Sequence, residues 1–83
     1  MPEGRRRMSL SEMTAGEDAT ILNFQGGRSV TTRLASLGFT PGVRVNMIQN
    51  HGRGPLIVTV RGTRVALGRG EASKIIVECG AHE

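Results

Sequence analysis

Twelve glycines cut this 83-residue chain into apolar stretches too short for more than a strand or a few turns of helix. Glycine reaches positive φ without steric penalty, so glycines between apolar runs mark tight turns, and many short elements are implied. The length allows one domain, which at this size hides only about 60% of the surface that its unfolded chain exposes. Its core must therefore be small. Two phenylalanines, Phe24 and Phe39, are the only aromatic residues. The interior has to be built from Val, Ile, Leu and Met, which favours a compact barrel over a deep pocket.

Residues 1–8 combine Pro, Gly and charge without periodicity and read as a disordered basic leader. A single domain is expected over 9–79, followed by a flexible tail over 80–83. Ser9 and Glu12 stand at capping-box spacing and predict one helical turn with Leu10 and Met13 on one side. From Asp18 to Phe24 the chain alternates as a strand, with Ala19 and Ile21 opposing Thr20, Leu22 and Phe24. After Gly26–Gly27, Val30, Leu34 and Leu37 recur at i, i+4 and i+7, the signature of one amphipathic helix. Gly38 supplies its stop, Phe39 a folded-back apolar contact, and Pro41–Gly42 a turn. Val43, Val45 and Met47 then face one way against Arg44, Asn46 and Gln49. Leu56, Val58 and Val60 alternate next, and Arg61–Gly62 resembles a two-residue hairpin connection to a return strand through Val65 and Leu67. Glu71 to Lys74 suit one helical turn, and Ile75, Val77 and Cys79 line one face of a last strand. The sum is mainly β: a small five-stranded, SH3-like, partly open antiparallel barrel with one inserted amphipathic helix and short helical turns.

The formal charge is +4, and Arg5, Arg6 and Arg7 supply most of the excess. They read as a solvated tail. No apolar stretch follows them as in a signal peptide, and nothing approaches the ~18 apolar residues of a membrane helix, so a cytoplasmic protein is expected. The single cysteine cannot form an internal bridge, in keeping with a reducing compartment.

Catalysis is not expected. Nucleophilic chemistry needs a base and a group that orients it, and the only histidines are His51 in a loop and His82 in the tail. Glu12, Glu17, Asp18, Glu71 and Glu78 fit helix starts and surface charges. Gly26–Gly27 lacks the Lys-Ser/Thr ending of a phosphate loop and the spacing of a dinucleotide fingerprint, and reads as a turn. Cys79-x-x-His82, with His51 or Glu83, has a spacing that can hold a soft divalent ion. The alternation places Cys79 on the core face, however, so a buried structural thiol is favoured and neither metal nor cofactor is expected. Arg28, Arg33, Arg44, Arg61, Arg64 and Arg69 could follow a phosphate backbone. The alternative function is accordingly a small basic nucleic-acid-binding or stand-alone regulatory module, but the chain offers no Trp or Tyr for base stacking.

The segment Arg33-Leu34-Ala35-Ser36-Leu37-Gly38-Phe39-Thr40-Pro41-Gly42, followed by Val43 and Val45, resembles the R-L-x-x-L-G-hydrophobic-x-P-G-x-x-V stretch of the FeoA family. Pro55, Val58, Val60, Arg61–Gly62, Leu67, Glu71–Ala72, Ile75 and Val77 are similar to that family's P-x-x-V-x-V-R-G…L…E-A…I-x-V ending. Gly68 departs from it, standing where a basic residue is usual. The resemblance implies an SH3-like, non-catalytic cytosolic accessory protein of bacterial ferrous iron uptake. Its partner would be the Feo permease, a membrane protein with an N-terminal GTPase domain, and contact with the membrane would be made only through it. The docking surface is expected at Arg33, Phe39, Arg44 and Met47, with Arg61 and Arg64 on the neighbouring hairpin. Open strand edges also allow self-association.

Overall fold

The computed structural model describes residues 6–79. Its elements in chain order are β1 (Arg6–Ser9), a 3₁₀ turn (Leu10–Glu12), β2 (Asp18–Phe24), α1 (Arg28–Ser36), β3 (Arg44–Gln49), β4 (Leu56–Val60), β5 (Thr63–Leu67), α2 (Arg69–Ala72) and β6 (Ile75–Cys79). The strands form one antiparallel sheet in the order β1-β6-β2-β3-β4-β5. This is the mainly β, SH3-like architecture expected, with six strands in place of five.

The additional strand comes from the stretch read as leader. Arg6, Arg7, Met8 and Ser9 pair with Cys79, Glu78, Val77 and Ile76. A charged edge strand gives no apolar alternation to read, because much of its stability comes from ladder hydrogen bonds to β6. Residues 1–5 and the 80–83 tail lie outside the described residues.

The core is aliphatic, as the scarcity of rings dictates. Ile21, Leu34, Phe39, Val45, Met47, Leu56, Val58, Leu67, Ile75 and Val77 are all buried. β4 and β6 alternate buried and half-buried residues along their whole length, the period-2 pattern of a sheet with one covered face.

Two bulges set which side chains enter this core. The β2–β6 register shifts between Ile21 and Asn23, and the β3–β4 register shifts between Met47 and Gln49. The first bulge reverses the expected facing of Phe24, which pairs with buried Ile75 and packs against the core. The second turns Gln49 outward although it follows Met47 by two residues, and leaves Ile48 exposed.

Helix α1 ends in the Schellman arrangement that the sequence anticipates. The Phe39 N–H donates to Leu34 O at 3.0 Å, the Gly38 N–H donates to Ala35 O at 3.0 Å, and Gly38 has φ of +102°. Leu37 differs from expectation: it is the C-cap, 42% exposed, and off the buried face. The helix is only nine residues long and stops one residue before Leu37. Phe39, swung inward by the Gly38 turn, takes the core position instead.

Candidate functional site

Beside its buried face the sheet has an outer face, and of the six expected docking residues Arg44 and Arg64 fall there, with Arg61 in the adjoining hairpin turn. The register aligns Asp18 with Asn46, Asn46 with Thr59, and Thr59 with Arg64, so four polar side chains cross β2, β3, β4 and β5 in one row. Arg44 lies two residues before Asn46 on the same side of β3, and Arg61 follows β4 in the hairpin turn. An open depression of about 420 Å³ is lined by Asp18, Arg44, Asn46, Thr59, Arg61 and Gly62, together with two valines of the β3 segment. Arg44 and Arg61 are therefore brought together, and Arg64 adjoins them across Thr59.

The turn that carries Arg61 has an unusual backbone. Arg61 and Gly62 both have positive φ, +52° and +78°, as a type I′ hairpin connection requires, and Val60 pairs directly with Thr63. Arg61 is the only described residue other than glycine with positive φ. Its side chain reaches back toward the helix end, with Cδ 3.6 Å from where a Cβ on Gly38 would stand.

Local electrostatics are uneven. The Asp18 carboxylate accepts a hydrogen bond from Asn46 Nδ2 and lies 3.8 Å from the Arg44 guanidinium. Both members of that ion pair are more than half exposed, so the contact is weak and screened. No ion pair is recorded for Arg61 or Arg64 among the described residues.

Arg33 belongs to a different surface. It pairs with Glu71 of α2 at 2.9 Å and lines a second depression of about 340 Å³ between the two helices. Phe39 and Met47 are both fully buried and cannot form a docking surface. Their large apolar side chains serve as core in a chain with few others of that size. Sequence reasoning passed over Asn46 and Thr59, although the alternation of β3 and β4 places both on the side of Arg44.

Candidate metal ligands do not converge. Cys79 is 5% exposed on the core face, and burial, with a smaller contribution from the Glu17 charge, pushes its thiol above the ordinary value. His51 is exposed in the β3–β4 loop, and His82 and Glu83 lie outside the described residues. Among the described residues no three His, Cys, Asp or Glu side chains cluster as a metal site. No helix of the described residues is long and apolar enough to cross a membrane.

Comparison with known proteins agrees with this geometry. The model of the FeoA domain matches residues 8–79. A Methanocaldococcus jannaschii protein named Fe(2+) transport protein A is 36% identical over 63 residues, 76% of each chain. The crystal structure of an iron uptake regulatory protein, FeoA, superposes with a TM-score of 0.83 at 36% identity, covering 87% of this chain and 96% of that one. Stenotrophomonas maltophilia FeoA, described as a procaryotic SH3 domain protein and solved in complex with zinc, gives a TM-score of 0.74 at 35% identity, covering 84% and 88%. The overall fold is thus that of known structures, and the chain belongs to the FeoA family, whose proteins are associated with ferrous iron transport.

Proposed function

We propose that this chain is a non-catalytic, cytosolic accessory protein of ferrous iron uptake that docks on the GTPase-containing Feo permease and supports or regulates Fe(II) transport. The observation that carries this reading is the shallow, open depression lined by exposed Arg44 and Arg61. A shallow charged surface beside a continuous aliphatic core suits contact with a macromolecule, not the enclosure of a small substrate. Family membership supplies the transport context. Attachment to the membrane then runs through the permease.

The test is binding of the full chain to purified Feo permease in nanodiscs at moderate salt, with an RNA oligomer as control ligand. Saturable binding to the permease, without comparable RNA binding, is expected. Salt-sensitive RNA binding with none to the permease would overturn the reading.

A further inference from the structure

We infer that the outer face of β3, β4 and β5 binds an extended acidic segment of a protein partner, whose carboxylates are held by Arg44, Arg61 and Arg64. The inference rests on the docking reading above and gives the partner segment its chemistry.

The first observation is charge segregation. Between Asp18 and Glu71 the chain contains seven arginines and neither an acidic residue nor a lysine. The described acids, Glu12, Glu17, Asp18, Glu71 and Glu78, belong to the 3₁₀ turn, the approach to β2, the first residue of β2, α2 and β6. The half of the sheet from β3 to β5 is therefore cationic without internal compensation, apart from Asp18 at its rim. Such a one-signed face attracts and orients an anionic partner.

The second observation is the backbone at Arg61. Left-handed φ disfavours a long side chain, and Asn or Gly is the usual occupant of this hairpin position. An arginine held there is explained by what its guanidinium does. Arg61 and Arg44 both line the open depression of about 420 Å³. Arginine also presents paired N–H groups that match a carboxylate.

The third observation concerns the shape of the occupant. β5 is an edge strand, paired only with β4, and its Thr63, Arg64 and Ala66 are exposed. Val65 faces inward opposite fully buried Val58 yet retains exposure, which marks an open side to the strand. An extended chain can lie along this edge while its acids reach across the row from Arg64 to Arg44. A second copy fits poorly, because pairing two β5 edges sets two Arg64 side chains on one face. A nucleic acid strand fits poorly as well, since the face has no ring on which a base can stack.

Asp18 acts here as a resident competitor for Arg44. Replacing it with Asn keeps an acceptor for the Asn46 amide and removes the competing charge.

The experiment follows backbone amide shifts of the full ¹⁵N-labelled chain on titration with a short poly-glutamate peptide, an oligouridylate of equal length and phosphatidylserine vesicles. Shifts on the peptide are expected at Arg44, Thr59 and Arg61 to Arg64. The R44E/R61E/R64E variant should bind it about tenfold more weakly and Asp18→Asn about threefold more tightly. Peptide shifts confined to other surfaces, or tighter binding of the RNA or the vesicles at this face, would overturn the inference. Full-length permease separates the two readings. Equal binding of wild type and the triple variant would refute this surface while leaving docking intact. Peptide binding here, with no permease binding by wild type, would support the acidic-segment site and refute the permease as partner.

Discussion

The Arg69 guanidinium donates to Asn50 Oδ1 at 3.0 Å, and the Asn50 amide in turn donates to the carbonyls of Ser11 at 3.0 Å and Met13 at 2.7 Å. Arg69 also donates to Ser11 O at 3.2 Å and Gly54 O at 3.3 Å. Two side chains thereby tie α2, the β3–β4 loop and the 3₁₀ turn together. Each satisfies backbone carbonyls that have few other partners, which makes the arrangement costly to break. Asn50→Ala should destabilise the fold by about 2 kcal/mol, since it removes the acceptor for Arg69 as well as both amide bonds. Urea unfolding of Asn50→Ala, Arg69→Met and the double variant checks this. The losses should be less than additive, because either change alone breaks the shared bond.

Phe39 and Leu37 stand on either side of Gly38 and should respond oppositely to truncation. Phe39→Ala empties the largest buried side chain of the core and should cost about 3–5 kcal/mol, enough to leave a domain of this size mostly unfolded. Leu37→Ser, at an exposed position, should stay within about 0.5 kcal/mol of wild type. Circular dichroism during thermal unfolding separates the two. A small effect of Phe39→Ala would contradict its place in the core.

The Cys79 thiol gives a pH prediction with a defined sign. Burial raises its folded-state pKa above the ordinary value of 9.0, with the Glu17 charge adding to the rise and Arg6 opposing it. The unfolded thiol therefore ionises first as pH rises. Below the unfolded pKa both states are protonated and the group is neutral in its effect. Above it the unfolded state binds fewer protons, so stability is lost as pH climbs through the folded pKa. Cys79→Ala should remove that alkaline contribution, whatever constant cost its lost packing adds. Alkylation of native protein should also be slow and accelerate in urea, because the thiol is buried.

Much of this fold was legible because its punctuation is chemical. Gly38 and Pro41 stop the helix, Arg61–Gly62 closes a two-residue hairpin, and Leu56 to Val60 alternate cleanly, each a local rule that the tertiary structure obeys. The capping spacing of Ser9 and Glu12 also holds, with the Glu12 carboxylate accepting from the Ser9 N–H at 3.0 Å. What could not be read depends on pairing. β1 is recognisable only beside β6, and the inward turn of Phe24 only once the Ile21–Asn23 bulge is known. For the candidate site, the family resemblance pointed to Arg33, Arg44, Arg61 and Arg64 together, but only register joins Arg44 and Arg64 through Asn46 and Thr59, beside Arg61, and sets Arg33 apart on the helix side. Phe39 and Met47 are excluded from the candidate surface by their burial, as the alternation of β3 and the folded-back contact after Gly38 already indicated.

Arg61 offers a separation of stability from binding. Its φ of +52° is tolerated more readily by asparagine, so Arg61→Asn should raise stability by about 0.5–1 kcal/mol through relief of backbone strain. Any loss of packing is small, since the long side chain is exposed. The same change removes one of three guanidiniums from the proposed docking face and should weaken permease binding severalfold. A more stable protein that binds less well would show that an arginine is kept in a strained turn for contact with a partner. Conversely, Arg61→Asn with unchanged binding would assign the residue to the turn alone. Differential scanning calorimetry alongside the nanodisc binding assay distinguishes these outcomes on a single variant.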